Sequence, residues 1–370
     1  MSTILIKDSL RQSVEAASGG LQTVLYTAKG QPTYMNIVEK FDLSTIDPSL
    51  AGTHPAFIIN GIEKDKIFIG TYQSIVRNGE LLSLPNQLPA IGGNLAYYNT
   101  LARANGAGHH LITNAEWSAV ALGCYKNGIN PLGNTYYGRA SENSASAGRR
   151  GDGLAAGTSA SDPEINAGTK NPRTYTGSGD VLWRHNQKYN GIADLAGNVT
   201  EFTTGLRLHN NEIQILANND AALATFDPAD TFANWKAIDA VTGELITPDG
   251  AGTTATSVKI ASSGTADYTI VCSATNTAFG SITNPSPTKP VGAAAIKLLK
   301  ALCIFPMIQS SATYGNDTLY VSYNSTVTRY TQRGGAYWGG SSAGLYTLIL
   351  TGVASDSGIG KGTRTAYYTP

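Results

Sequence analysis

The run RGGAYWGGSSAGLYTLILTGVASDSGIGKGTRTAYYTP, residues 333–370, constrains this chain more than any other feature. Between Gly334 and Gly362 it carries nine glycines and only two charges, Asp356 and Lys361. Glycine brings no side chain to bury and loses the most backbone freedom on folding. A segment so built makes a poor core of its own and needs a rigid scaffold beneath it. Leu345, Leu348, Leu350, Val353 and Ile359 are interleaved with small or polar residues in a strand-like pattern. Taken without a ligand, this is a Gly-rich sheet edge; taken with one, it is a display surface.

The rest of the chain must supply that scaffold. Its 370 residues are ample for a large core, and Lys plus Arg equals Asp plus Glu at 26 each. Zero net charge argues against a general nucleic-acid binder, which needs a basic surface. No apolar stretch reaches the ~18–20 residues that span a bilayer. The N-terminus MSTILIKDSLRQSVEAASGG lacks a basic region followed by an apolar one, so no secretory signal is expected. Cys124, Cys272 and Cys303 fit no metal spacing and read as three buried thiols.

Local signals place the elements. Asp8 to Ala17 is a candidate helix. Phe57–Ile59 and Ile67–Tyr72 flank Asn60-Gly61 and predict an antiparallel hairpin. Gly93–Asn105 has helical spacing, and Thr113-Asn114-Ala115-Glu116 is a capping box. Trp117, Val120, Ala121 and Cys124 come next at i, i+3, i+4 and i+7, and Asn127-Gly128 ends that helix. These two helices are expected as a layer on a sheet. Residues 126–180 read as a long surface excursion, 191–208 as alternating loop and strand, and 209–300 as holding further short strands. Without βα alternation a doubly wound parallel sheet is excluded. The expected architecture is an N-terminal arm over 1–40 and one α+β unit over 41–370, with insertions near 126–180 and 223–320.

Motif tests come out negative. The glycine-rich run Gly151-Asp152-Gly153-Leu154-Ala155-Ala156-Gly157 sits in a polar loop after Arg149-Arg150, not after a buried strand, so a dinucleotide site is rejected. His54, His109, His110, His185 and His209 form no metal-binding spacing. Asn218-Asn219-Asp220 and Asp227 match no calcium loop and read as turn formers. Asn198, Asn316 and Asn324 head glycosylation sequons, which often arise by chance. No cofactor is expected; a structural cation is left open.

HLITNAEWSAVAL, then GIADLAGNVTEFTTGLRL, then RGGAYWGGSSAGLYTLIL and GTRTAYY, in that order, resemble the C-type lectin fold in its formylglycine-generating-enzyme branch. Within the branch the chain is most similar to the variable proteins of diversity-generating retroelements, phage and archaeal-viral members included. The resemblance covers roughly residues 54–125, 181–222 and 330–368. It departs from the family at Thr200-Glu201-Phe202, where Trp-Glu-Trp is common. It implies short antiparallel strands, two helices and long irregular insertions, with a variable region at about 333–368.

The resemblance also divides that region. Scaffold positions would be Arg333, Gly334, Gly335, Gly344, Leu345, Leu348, Leu350, Ala354, Ser355, Ser357, Ile359, Gly360, Gly362 and Arg364. Ligand-binding, variable positions would be Tyr337, Trp338, Gly339, Ser342, Tyr346, Ile349, Thr351, Gly352, Asp356, Gly358 and Lys361. The implied function is recognition of a protein or cell-surface ligand by a non-enzymatic protein of a virion or cell surface, with homo-oligomerisation allowed. Two alternatives compete: an enzyme of the formylglycine-generating type, although no cysteine comes after Arg333, and a structural virion protein.

Overall fold

The computed structural model describes residues 8–159, 161–167, 169–272, 276–323 and 326–370. Asn324, the head of one sequon, lies outside them. Helix α1 (Ser9–Ser18) forms where Asp8 to Ala17 is expected to be helical; it starts at an Asp8 cap and ends on left-handed Gly19. Strands β1 (Gln22–Tyr26) and β2 (Pro32–Glu39) come after it. Next are β3 (Ile58–Ile59), β4 (Ile62–Glu63), β5 (Lys66–Gly70), β6 (Ser74–Arg77) and β7 (Glu80–Ser83). Helix α2 (Leu95–Ala104), β8 (His109–Leu111) and α3 (Asn114–Lys126) complete the first part. An irregular stretch with one short helix, α4 (Pro163–Asn166), leads to β9 (Thr200–His209) and β10 (Glu212–Ile215).

The second part adds β11 (Lys236–Ile238), β12 (Leu245–Ile246), β13 (Lys259–Ala261), β14 (Thr269–Val271), β15 (Asn276–Ala278) and α5 (Ala293–Ala301). It closes with β16 (Thr318–Val321), β17 (Arg329–Arg333), β18 (Leu348–Gly352), β19 (Lys361–Thr363) and β20 (Thr365–Tyr367). The protein is mixed α+β, dominated by two sheets. One has the order β1-β2-β5-β20-β8; the other runs β12-β11-β10-β9-β17-β18-β16-β15, with β13, β14 and β19 attached. Most pairs are antiparallel; β13–β14, β16–β18 and β19–β9 are parallel.

Three expectations are corrected. The Asn60-Gly61 turn does close a hairpin, but between β3 and β4; β5 pairs instead with β2 and β20. Two residues on each side of the turn cannot bury a face, whereas Ile67 and Ile69 gain full burial in the longer sheet. Residues 22–39 are no free arm: β1 and β2 continue the sheet that holds the C-terminal β20. The capping box of α3 forms as expected, yet the helix is buried on nearly every side, not on one stripe, because β9, the turn at Pro55–Phe57 and α5 all pack on it. Its Trp117 Nε1 donates to the Leu345 carbonyl at 2.8 Å, which ties the helix to the C-terminal region.

Buried polar clusters join that region to the rest of the scaffold. Arg364 and Glu201 are both fully buried and meet at 2.7 and 2.9 Å. Burial raises the Glu201 carboxyl, opposed by the Arg364 cation. Gln73 Nε2 donates to the Val199 carbonyl at 3.0 Å and to Glu201 Oε1 at 3.0 Å. The cluster fixes the start of β9 against β19 and β20. Arg333 is also fully buried; it donates to Asn114 Oδ1 at 2.7 and 3.0 Å and to the Cys303 carbonyl at 3.0 Å. All three cysteines are free and buried.

Candidate binding site

The site is built on β18. Its residues alternate: Leu348 and Leu350 are buried in the main core, while Ile349 is half-buried and Thr351 exposed on the opposite face. Ile349 stands opposite Tyr320 of β16 on one side and Gln332 of β17 on the other, so these side chains form one row across the sheet. A bulge in β17 between Tyr330 and Gln332 sets this register. Lys361 of β19 lies opposite Thr200 of β9 and extends the surface.

The loop from β17 to β18 folds back over this row. It leaves the strand through Gly334 and Gly335, both with positive φ, at 84° and 74°. A Cβ on Gly335 would lie 2.5 Å from the Ala343 Cβ, so only glycine fits the turn. A short turn at Gly340–Ser342 then places Ser342 and Ala343 above the row. Thr347 Oγ1 donates to the Ser342 carbonyl at 2.7 Å and accepts from the Gly344 amide at 3.0 Å. The loop is anchored from below by Asp317, whose Oδ2 accepts from the Tyr346 amide at 2.6 Å. Burial pushes this carboxyl up to about 8, and neighbouring Glu142 adds to the rise.

The result is a pocket of about 400 Å³, within the size range of small-molecule and side-chain sites. Six of the expected ligand-binding residues line it: Trp338, Gly339, Ser342, Ile349, Thr351 and Lys361. Trp338 is 49% exposed; its ring meets the Tyr337 ring edge-on at 4.6 Å between centroids. The indole also lies over Gly360, where an added Cβ would run into the ring. Lys361 Nζ pairs with Asp356 Oδ2 at 2.9 Å beside the pocket.

Three expected contacts are not on the surface. Tyr337 and Tyr346 are buried, at 3% and 2% exposure. Tyr346 packs among Phe279 and Tyr314, and its hydroxyl donates to the Ala121 carbonyl at 3.1 Å. Tyr337 packs edge-on against Tyr137, and burial pushes its hydroxyl up to about 12. Gly352 is buried too: a Cβ there would come within 2.5 Å of Gln332 Nε2 and 2.8 Å of Asp356 Oδ2. Gly358, by contrast, has open space beside it. Among the expected scaffold residues Ile359 is 55% exposed, and Ser355 and Ser357 are exposed as well. They sit in a turn outside the sheet, where strand alternation no longer decides facing.

Gln332, Tyr320 and Thr200 line the pocket without having been expected to. Gln332 sits in the strand-like run TVTRYTQR, one residue before the first expected scaffold position; the bulge that turns it toward the pocket leaves no mark in the sequence. Thr200 and Tyr320 come from distant segments.

Elsewhere the candidate polar residues have structural roles. Asn219 donates to the Ala56 carbonyl at 3.0 Å and accepts from Thr113 Oγ1 at 2.6 Å, and Asp220 accepts from the Asn60 amide at 2.7 Å. His110 Nε2 lies 2.8 Å from Glu116 Oε1. Asp152 holds Arg150 in a two-point pair. Asn198 is fully buried and shares hydrogen bonds with Asn134 and Gln73, so its sequon is inaccessible in the folded state. Among the described residues no helix is long and apolar enough to cross a membrane, and no group of three or more His, Cys, Asp or Glu side chains could hold a metal ion. No protein-family model matches the chain, and no curated protein matches it.

Proposed function

We propose that this chain is a receptor-recognition protein without catalysis, in which residues of about 333–368 display diversified side chains on a C-type-lectin-fold scaffold, as in the variable proteins of diversity-generating retroelements. The observation that carries the reading is the division of labour along β18. Leu348 and Leu350 supply core burial, while Ile349 and Thr351 meet Trp338 and Ser342 at a pocket. A face that must tolerate substitution has to leave the folding energy, about 25 cal/mol per Å² of buried apolar area, to other positions. A half-exposed Trp beside small neighbours is the kind of anchor that dominates interfaces. The ligand is a protein or cell-surface molecule, and display of many copies on a virion or cell surface raises weak single-site affinity by avidity.

The enzyme alternative is less well supported. Burial pushes each of the three thiols up to about 12, and none of them lines the pocket; a reactive cysteine needs a depressed value and access. A structural virion protein is the second reading. The DNA around the gene separates the two. A near-repeat of the codons for 333–368 that differs at adenines, beside a reverse transcriptase gene, is the expected finding. Absence of both overturns the diversified-surface reading.

A further inference from the structure

A second pocket, of about 530 Å³, opens between β6, the 87–91 segment, α2 and the 173–175 stretch of the long excursion. Its walls are aliphatic at Ile75, Leu88 and Ile91 and aromatic at Tyr97, which is 48% exposed. Arg173 is the one charged residue that lines it. The Arg173 Nε donates to Asn171 Oδ1 at 3.1 Å and its Nη1 to the Pro89 carbonyl. Its Nη2 has no hydrogen-bond partner among the described residues and is not sealed from solvent. Arg173 forms no ion pair among the described residues. Burial disfavours its charge, and no carboxylate offsets that cost. The pocket also adjoins the region expected to vary. Ile91 and Tyr97 line a neighbouring cleft with Ser357, and the Gly92 amide donates to the Gly358 carbonyl at 3.1 Å.

We infer that this pocket is a second binding site, which takes the carboxylate of an aspartate or glutamate on a protein partner and an apolar side chain from the same segment. The choice of a protein partner rests on the recognition reading; the charge of the pocket does not. A partly desolvated guanidinium with a free Nη2 and no counter-ion calls for an anion, and a charge-assisted hydrogen bond is the strong kind. One cation in the wall matches a single negative charge. The second nearby guanidinium, Arg149, lies 4.0 Å over the Tyr175 ring and does not line the pocket, so a doubly charged phosphate would be only half matched. Ammonium and guanidinium groups are repelled. An acidic sugar would set its hydroxyls against Ile75, Leu88 and Ile91, which offer no hydrogen bonds, whereas an apolar side chain beside the carboxylate buries area there. The lining residues precede 333–368, so this site would stay constant while the first pocket varies.

The test is selection of peptides displayed on phage against the full chain, with affinity measurement of synthetic winners and a glycan array run in parallel. Gln87 is exposed and lines the pocket, so Gln87→Glu puts a carboxylate in the wall and leaves the contacts of Arg173 intact. Arg173→Gln removes the charge, and Trp338→Ala marks the first pocket; melting temperatures establish that each variant is folded. The expected result is a class of winners with Asp or Glu beside an apolar residue. Changing that acid to its amide, or introducing Gln87→Glu or Arg173→Gln, should weaken binding by about tenfold or more, the effect of losing one hydrogen bond to a charged group. Winners that depend on Trp338 but lack an acidic residue, or are indifferent to Gln87→Glu, overturn this inference and leave the recognition surface standing. Acidic sugars that bind through Arg173 where no peptide does overturn the protein partner. Peptides indifferent to Gln87→Glu, Arg173→Gln and Trp338→Ala overturn this site and the first pocket together.

Discussion

Leu348 and Ile349 are neighbours on one strand with nearly the same volume and opposite facings, so truncating each to alanine separates scaffold from display surface. Leu348 is completely buried, stands opposite Leu319 and Arg333, and belongs to the main core. Leu348→Ala loses the transfer free energy of a buried side chain and leaves a cavity, about 2–5 kcal/mol. Ile349 is half-buried in an open pocket. Full burial of such a side chain is worth about 1.5–3 kcal/mol; half of that, with water free to fill the space, is about 1 kcal/mol. A change of about 1 kcal/mol moves Tm by about 2–4 °C in chains of about 150–250 residues, and by less at 370 residues. Urea unfolding with a check for constant slope reads both values on the same chain. Equal losses, or a larger loss for Ile349→Ala, would refute the division of labour along β18.

Three other perturbations probe the same geometry. Gly360→Ala should displace the Trp338 indole at little cost in stability; because Trp117, Trp183 and Trp235 are buried, tryptophan quenching by acrylamide reports Trp338 and should increase. Unchanged quenching means the indole does not rest on Gly360. Glu201→Ala leaves Arg364 as an uncompensated buried charge and should cost about 3–5 kcal/mol, read as a loss in urea midpoint; a loss below about 1 kcal/mol would show that water reaches this pair. Asp317 has a folded value of about 8, above the ordinary carboxyl value of about 3.9. The folded state therefore binds the extra proton, and stability from this group falls as pH rises from about 4 to about 8. Asp317→Asn should keep the acceptor for the Tyr346 amide, raise Tm at a pH of about 7 to 8, and show no gain at a pH of about 4; a gain independent of pH contradicts the assignment.

Local elements and the character of the C-terminal region were legible in the sequence alone. Asp8 and Thr113 could be read as helix starts because a cap is a contact within three or four residues. The alternation of Leu348, Ile349, Leu350 and Thr351 could be read because side-chain facing in a strand has a period of two. Which aromatic residues point outward could not. Tyr337, Tyr346 and Trp338 belong to one irregular loop, where no period applies, and only the packing of Tyr137, Phe279 and Tyr314 against two of them buries those and leaves Trp338 half-exposed. The partner of β5 was likewise a tertiary choice, since β2 and β20 offered a longer buried face than the near hairpin. The pocket floor was a tertiary product altogether: Thr200, Tyr320 and Gln332 come from three strands that pairing and one bulge bring into line. Contacts local in the chain leave a periodic or spacing signal, whereas contacts made by closing long loops are selected by total buried area, which no short window of sequence contains.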